Sequence, residues 1–266
     1  MENFTAKKSL GQNFLHAPNI ISAMVHAGEV TEKSNILEVG PGKGALTGAL
    51  LQTGAKVTAI EKDSRAIPFL QEKFKREIES GQLELIYGDI LEFTPDLNRF
   101  SKDNYTIIAN IPYYISGEFL RKFLEIDNSP NKIVVMLQKE LAKRIVDKKQ
   151  SILSISVKVY GKPKYLVTVP RKLFRPMPNV DSAVLVIDQI SKNFFKNPEI
   201  DEKIFFEILK AGFAHKRKVL IKNLEGKIPR ITLEKIWNEQ NLPKDIRAEN
   251  LSPEMWKKIV GYSAEN

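Results

Sequence analysis

The chain contains no cysteine. Disulfides, thiolate metal sites and a cysteine nucleophile are therefore excluded, and the composition suits a reducing cytoplasm. Only three histidines occur, His16, His26 and His215, and no two stand at the spacing of a metal-binding pair, so no metal is expected. No apolar run approaches the length of a membrane span, and no apolar core follows Met1-Glu2-Asn3-Phe4-Thr5-Ala6-Lys7-Lys8 as a secretory signal would require. A soluble, cytoplasmic protein without a membrane partner is the expectation. The sequence also lacks internal repeats and low-complexity tracts. It has no phosphate-cradling loop of the Gly-Lys-Ser/Thr kind, which argues against nucleoside triphosphate hydrolysis.

The rest of the composition is that of an ordinary globular protein with a basic balance. The chain has 266 residues, 42% of them hydrophobic, enough for one large domain and a small one. The formal net charge of +9 favours a polyanionic partner without identifying one, since a basic surface is as often only solvated lysine.

Short apolar runs at 36–39, 57–60, 83–87, 106–109, 133–137, 152–159 and 183–187 read as seven strands. Helical patterns at 45–52, 64–79, 117–125 and 139–146 lie between the earlier ones. Strand and helix in alternation predict an α/β fold with a mostly parallel seven-stranded sheet covered on both faces. The link 161–180 carries Pro163, Pro170, Pro176 and Pro178 and reads as an ordered loop, closing a hairpin of the last two strands at the sheet edge. Beyond residue 190 the pattern becomes helical at 203–213, 216–224, 233–239 and 253–260, punctuated by Asn197-Pro198, Ile228-Pro229 and Leu242-Pro243. Residues 1–190 thus form one predicted domain and 191–266 a small helical one.

Three successive strand ends carry groups suited to a nucleotide-like cofactor. Gly40, Gly42 and Gly44 follow the first strand, where glycine permits a tight turn and close approach of the backbone to a ligand. Lys43, inside that turn, is expected to be exposed. Glu61 ends the second strand, placed to accept from ribose hydroxyls, although a solvated carboxylate in the charged run Glu61-Lys62-Asp63 is the plainer reading. Asp89 ends the third, able to accept from an adenine amine or simply to cap a turn. After the fourth strand comes Asn110-Ile111-Pro112-Tyr113. The side-chain oxygen of Asn110 and the carbonyl of Ile111 can take both hydrogens of an exocyclic amine, and the Tyr113 ring can stack on the base. The combination points to chemistry on adenine N6.

These residues, with several further motifs, resemble the S-adenosylmethionine-dependent ribosomal RNA adenine N6-dimethyltransferases. The likeness includes Lys8-Ser9-Leu10-Gly11-Gln12-Asn13-Phe14-Leu15, Glu38-Val39-Gly40-Pro41-Gly42-Lys43-Gly44, Asn110-Ile111-Pro112-Tyr113-Tyr114 and Gln138-Lys139-Glu140. It continues through Phe174-Arg175-Pro176-Met177-Pro178-Asn179-Val180-Asp181-Ser182 and Arg247-Ala248-Glu249-Asn250-Leu251-Ser252. It implies a class I methyltransferase domain of Rossmann-like fold, a C-terminal helical domain that meets RNA, and dimethylation of two adjacent adenosines in the 3′-terminal hairpin of small-subunit rRNA. It also implies that Asn13 and Leu15 close over S-adenosylmethionine, with Gly40 at its methionine part, Gly42 among the residues that bind it, Glu61 at the ribose and Asp89 at the adenine. Asn110 borders cofactor and target base, Pro112 stiffens the turn, Tyr113 stacks on the base, and Phe174 covers its opposite face from a surface loop. Tyr114, by contrast, reads as a core residue.

Lys216-Arg217-Lys218, extended by Lys222 and Lys227, forms a basic cluster read as a helix start, where cations oppose the helix dipole and phosphate binding gives them a purpose. Lys143, Arg144, Lys148 and Lys149 can add to such a surface. The expected partner is small-subunit rRNA within a precursor small subunit, met by a monomer. Two features depart from the family pattern. The link Asp147-Lys148-Lys149-Gln150-Ser151 is shorter and lacks a Tyr-Gly pair, and Lys216-Arg217-Lys218-Val219-Leu220 stands where Arg-Arg-Lys-Thr-Leu is usual. A large-subunit rRNA methyltransferase of the resistance type, a non-catalytic assembly factor and a DNA adenine methyltransferase explain fewer of the motifs.

Overall fold

The computed structural model describes residues 5–7, 10–102, 104–196 and 200–264. Lys8 and Ser9 of the N-terminal motif, and the Asn197-Pro198 break, lie outside them. The first elements are a two-residue strand β1 (Phe14–Leu15), α1 (Pro18–Ala27), β2 (Asn35–Val39), α2 (Ala45–Leu51) and β3 (Lys56–Glu61). Then come α3 (Ala66–Lys73), α4 (Lys75–Glu79), β4 (Leu83–Tyr87), β5 (Thr106–Asn110), α5 (Ser116–Glu125), β6 (Lys132–Gln138) and α6 (Lys139–Val146). The chain continues with α7 (Ile152–Tyr160), β7 (Lys162–Val169), β8 (Phe174–Arg175) and β9 (Ser182–Asp188). Four helices end it: α8 (Glu202–Gly212), α9 (Leu220–Leu224), α10 (Arg230–Glu239) and α11 (Pro253–Ala264).

Seven strands form one sheet in the order β4-β3-β2-β5-β6-β9-β7. The first five are parallel, and β9 runs antiparallel to both β6 and β7. The inner strands are apolar along their length rather than alternating, as strands covered on both faces must be: β5 and β6 bury every residue but their last. Strand order reverses between β2 and β5. That reversal opens a crevice at the carboxyl ends of the parallel strands, the usual ligand position in such sheets.

The seventh strand is not the one the sequence pattern indicates. Residues 152–159 alternate apolar and polar like a strand, yet they form α7. Ser151 and Ser154 cap it reciprocally: Ser154 N donates to Ser151 Oγ at 3.1 Å and Ser151 N donates to Ser154 Oγ at 2.7 Å. Ser156 Oγ donates to Ile152 O one turn back. The helix thus satisfies hydroxyls that the alternation would have turned to solvent. The proline-bearing link supplies the missing strand, β7. Pro163 is its second residue, and because β7 is an edge strand a missing N–H is tolerated there. The long helix expected over 64–79 is interrupted at Phe74, whose backbone leaves the helical region at φ −116°, ψ 32°.

The chain forms two compact units, Met1–Lys143 with Gly161–Ile190, and Arg144–Tyr160 with Ser191–Asn266. The segment 144–160, assigned to the first region by sequence, therefore belongs with the C-terminal helices. In that second unit the rings of Tyr160, Phe195, Phe205 and Phe206 pack on one another, and Asp201 caps α8 by accepting from Ile204 N at 3.0 Å. Trp256 is fully buried against Gly212, where a Cβ would lie 2.3 Å from its ring.

Candidate active site

The first unit holds a cleft of about 340 Å³ at the sheet's switch point. It begins with the turn after β2. Gly40, Gly42 and Gly44 have φ of 69°, 55° and 71°, a region that disfavours side chains. Space excludes side chains as well: a Cβ on Gly42 would lie 2.9 Å from the Phe14 ring, and one on Gly44 2.5 Å from Phe74. Phe14 is brought there by β1, which pairs antiparallel with β8 in the register Phe14↔Arg175 and Leu15↔Phe174. This small two-stranded sheet sets Asn13, Leu15 and Phe174 at the cleft wall. Asn13 Nδ2 donates to Gly11 O at 3.1 Å. Lys43 is half-buried rather than exposed, its ammonium 5.3 Å from the Phe14 ring centroid.

Glu61 is a structural carboxylate as well as a cleft residue. It is 5% exposed, so it is not solvated. Its Oε2 accepts from Gly42 N at 3.0 Å and its Oε1 from Asp63 N at 2.8 Å, which ties β3 to the glycine turn. Burial pushes its carboxyl above the ordinary range, against the pull of those amides. Each oxygen keeps a second acceptor site, so a vicinal diol can still donate to it. Asp63 beside it is held down to about 2 by the Arg65 guanidinium, with burial opposing and Gln12 helping. Asp89, at the next strand end, lines the same cleft. Burial raises its carboxyl, but the Lys62 ammonium and the Leu91 amide outweigh it and leave the group below its ordinary value. Its Oδ2 accepts from Lys62 Nζ at 2.5 Å and its Oδ1 from Leu91 N at 3.0 Å.

Asn110 ends β5, beside Gly40, whose Cβ position lies 3.4 Å from the Asn110 carbonyl. Among the described residues no hydrogen bond engages the Asn110 side-chain amide. Ile111 and Pro112 follow outside the strand, Pro112 at φ −58° and ψ 137°, and Tyr113–Ile115 forms a single 3₁₀ turn. That tight turn sends successive side chains in different directions. Tyr113 is half-buried, while Tyr114, read from sequence as core, is 64% exposed at the cleft. Phe174 goes the other way: expected on a surface loop, it is 1% exposed because β8 pairs it with Leu15.

The structure therefore gathers Asn13, Leu15, Gly40, Gly42, Glu61, Asp89, Asn110, Pro112, Tyr113 and Phe174 around one cleft. It adds Gln12, Lys62 and Lys73, which sequence reasoning gave no role. Gln12 Nε2 donates to Asp63 Oδ2 at 2.8 Å. Lys73, the last residue of α3, donates to Lys43 O at 2.7 Å, bracing the glycine turn from 30 residues away. Lys62 sat in view beside Glu61, but nothing local in the sequence marks Lys73. The basic residues Lys216, Arg217 and Lys218 lie elsewhere, in the second unit. They are exposed on the loop before α9 rather than in a helix, since α9 begins only at Leu220. Lys222 is exposed on α9 itself. No group of three or more His, Cys, Asp or Glu among the described residues could hold a metal ion, and no described helix is long and apolar enough to cross a membrane.

The family model described as ribosomal RNA adenine dimethylase matches residues 3–265. The chain is similar to a ribosomal RNA small subunit methyltransferase A from Dehalococcoides mccartyi (strain CBDB1), 38% identical over 272 residues, covering 100% of this chain and 92% of that one. It is also similar to a ribosomal RNA small subunit methyltransferase A from Fusobacterium nucleatum subsp. nucleatum, 34% identical over 262 residues and 97% of each chain. Among solved structures, a dimethyladenosine transferase from Plasmodium falciparum matches with a TM-score of 0.77 and 26% identity, over 92% of this chain and 95% of that one. The 23S rRNA methyltransferase ErmE matches with a TM-score of 0.77 over 94% and 99%, at 22% identity a likeness of fold alone.

Proposed function

Because the chain belongs to the ribosomal RNA adenine dimethylase family, we propose that it methylates N6 of two adjacent adenosines in the 3′-terminal hairpin of small-subunit rRNA. The donor is S-adenosylmethionine, the product is N6,N6-dimethyladenosine, and the substrate is a precursor small subunit. The observation that carries this reading is the meeting of Asn110, Ile111 and Tyr113 with the glycine turn, Glu61 and Asp89 around one cleft.

The cleft's donor and acceptor set fits such a cofactor. Glu61 keeps acceptor sites for the ribose hydroxyls, Asp89 lies one strand further out for the adenine amine, and the side-chain-free turn at Gly40 and Gly42 admits the methionine part. When bound, S-adenosylmethionine supplies an electrophilic methyl on a good leaving group. The rest is positioning by the chain. Adenine N6 is a weak nucleophile because its lone pair is delocalised into the ring. The Asn110 side-chain oxygen and the Ile111 carbonyl accept its two hydrogens, which favours a pyramidal nitrogen with its lone pair directed at the methyl. Pro112 keeps that backbone rigid. Tyr113, half-buried at the cleft, stacks on one face of the base, a contact worth about 1–3 kcal/mol. Phe174 is 1% exposed, so it backs the cleft wall rather than offering a face to the base, and a base enters the recessed cleft only once taken out of its stack. Lys216, Arg217, Lys218 and Lys222 contact RNA phosphates, and the protein acts as a monomer in the cytoplasm.

The test incubates the protein with labelled S-adenosylmethionine and unmethylated small ribosomal subunits and maps the label by mass spectrometry. Dimethyladenosine at two adjacent positions of the terminal hairpin, absent with Asn110→Ala, is the expected result. Label in large-subunit rRNA supplied in parallel, and none in the small subunit, would overturn the choice of substrate. Cofactor binding without transfer to either would overturn the catalytic reading.

A further inference from the structure

Tyr113 is tethered at its far end. Its hydroxyl lies 2.6 Å from Ser182 Oγ, across 69 residues of sequence. Ser182 opens β9 and is fully buried. It cannot drift, because its backbone lies between Gln138 of β6 and Val169 of β7. Asp181, just before it, is fastened too: its carbonyl accepts from Lys139 N at 3.0 Å and its Oδ1 from Arg171 N at 3.0 Å. Burial pushes the Tyr113 phenol up, with the Ser182 bond opposing, so both groups carry protons at neutral pH and one donates to the other. Among the described residues neither hydroxyl has another partner.

The backbone that carries Tyr113 gives its ring much less support. Tyr113 begins a single 3₁₀ turn that leads straight into α5; Ser116 N donates to Tyr113 O, and the bond from Ile115 N to Pro112 O is 3.3 Å long, contacts that fix the backbone but not the side-chain torsions. A ring on such a turn can pivot about two side-chain torsions. The bond to Ser182 removes that freedom, and it does so from a strand two places along the sheet from β5.

Resting on the function proposed above, we propose that Ser182 is a positioning residue for methyl transfer: it pins the Tyr113 phenol so that the ring presents a fixed face to the target adenine. A pinned ring leaves cofactor binding alone and raises the fraction of bound base that sits in the reactive pose. The effect therefore falls on kcat, not on affinity for S-adenosylmethionine.

The experiment compares parent, Ser182→Ala, Tyr113→Phe and the double variant on unmethylated small subunits, with S-adenosylmethionine affinity and thermal melting measured for each. Each single variant is expected to lower kcat about fivefold, the scale of one neutral hydrogen bond. The double variant is expected to be no slower than either single one, with cofactor affinity unchanged throughout. Tyr113→Phe keeps the ring and leaves Ser182 in place, so it carries the test alone should Ser182→Ala lose its melting transition. An unchanged kcat in Tyr113→Phe, or losses that multiply in the double variant, would overturn the tether while leaving an active parent enzyme. A parent that labels no rRNA would overturn both proposals together.

Discussion

At the scale of single residues, two buried carboxylates next to the glycine turn differ in their partners. Glu61 accepts two backbone N–H groups, whereas both oxygens of Glu38 are buried and, among the described residues, meet no donor in good hydrogen-bond geometry, Thr47 being the near neighbour that favours the charged form. Burial pushes Glu38 from 4.5 up to about 8, with Thr47 opposing. From about pH 4.5 to about pH 8, folded Glu38 therefore holds a proton that the unfolded chain has released. The folded state binds more protons in that window, so this group's contribution to stability falls as pH rises through it and levels off above. Glu38→Gln abolishes the slope. In urea unfolding at pH 5 and pH 8, the stability of the Gln variant relative to the parent should rise on the order of 3 kcal/mol between the two; a gap that does not change with pH would refute the assignment. For Glu61, replacement by Ala removes the acceptor for two amides as well as the proposed ribose contact. Isothermal titration should then show S-adenosylmethionine binding weakened by about 10- to 100-fold, and an unaltered Kd would remove Glu61 from the cofactor site.

At the scale of elements, the β2-to-α2 turn depends on side-chain absence. A Cβ on Gly44 would meet Phe74 at 2.5 Å from a backbone already at φ 71°. Gly44→Ala should lower unfolding free energy by about 2 kcal/mol or more, read by denaturant titration, because strain and overpacking add. A loss below 0.5 kcal/mol would mean that Phe74 simply moves aside. The turn was legible because glycines after an apolar run announce it. The exchange between α7 and β7 was not, although part of its signal was local. Ser151 three residues before Ser154 is a helix-start pattern, but the alternation from Leu153 to Val159 spoke louder. In β7, Pro163 counted against a strand, and only its edge position in the sheet makes it acceptable.

At the scale of the whole molecule, the question is how a chain of net charge +9 meets a polyanion. The second unit presents Lys216, Arg217 and Lys218 on an exposed loop. Asn223 braces that loop, its Nδ2 donating to Gly212 O at 2.7 Å and His215 O at 3.1 Å. Replacing all three cations by Ala should weaken rRNA binding and make the slope of log affinity against log salt shallower by about 2, since each phosphate contact contributes about 0.7–0.9. Cofactor affinity should stay the same. A slope equal to the parent's would mean that these side chains are merely solvated.

The sequence by itself determined the strand ends and what they carry: the glycine turn, Glu61, Asp89 and the run from Asn110 to Tyr113, all marked by local pattern and chain order. The motifs also sufficed to indicate the family. The tertiary structure alone decided which face each residue shows and what it touches. It buried Phe174 through a two-residue pairing with Leu15, exposed Tyr114 on a 3₁₀ turn, set Lys62 on Asp89 and Lys73 on the glycine turn, and joined Tyr113 to Ser182. The physical reason is separation along the chain. Propensity and periodicity act over one or two turns of backbone, whereas these contacts join residues far apart in the chain, brought together only when their elements take their places, β1 against β8, β3 beside β4, and β5, β6 and β9 side by side for Tyr113 and Ser182.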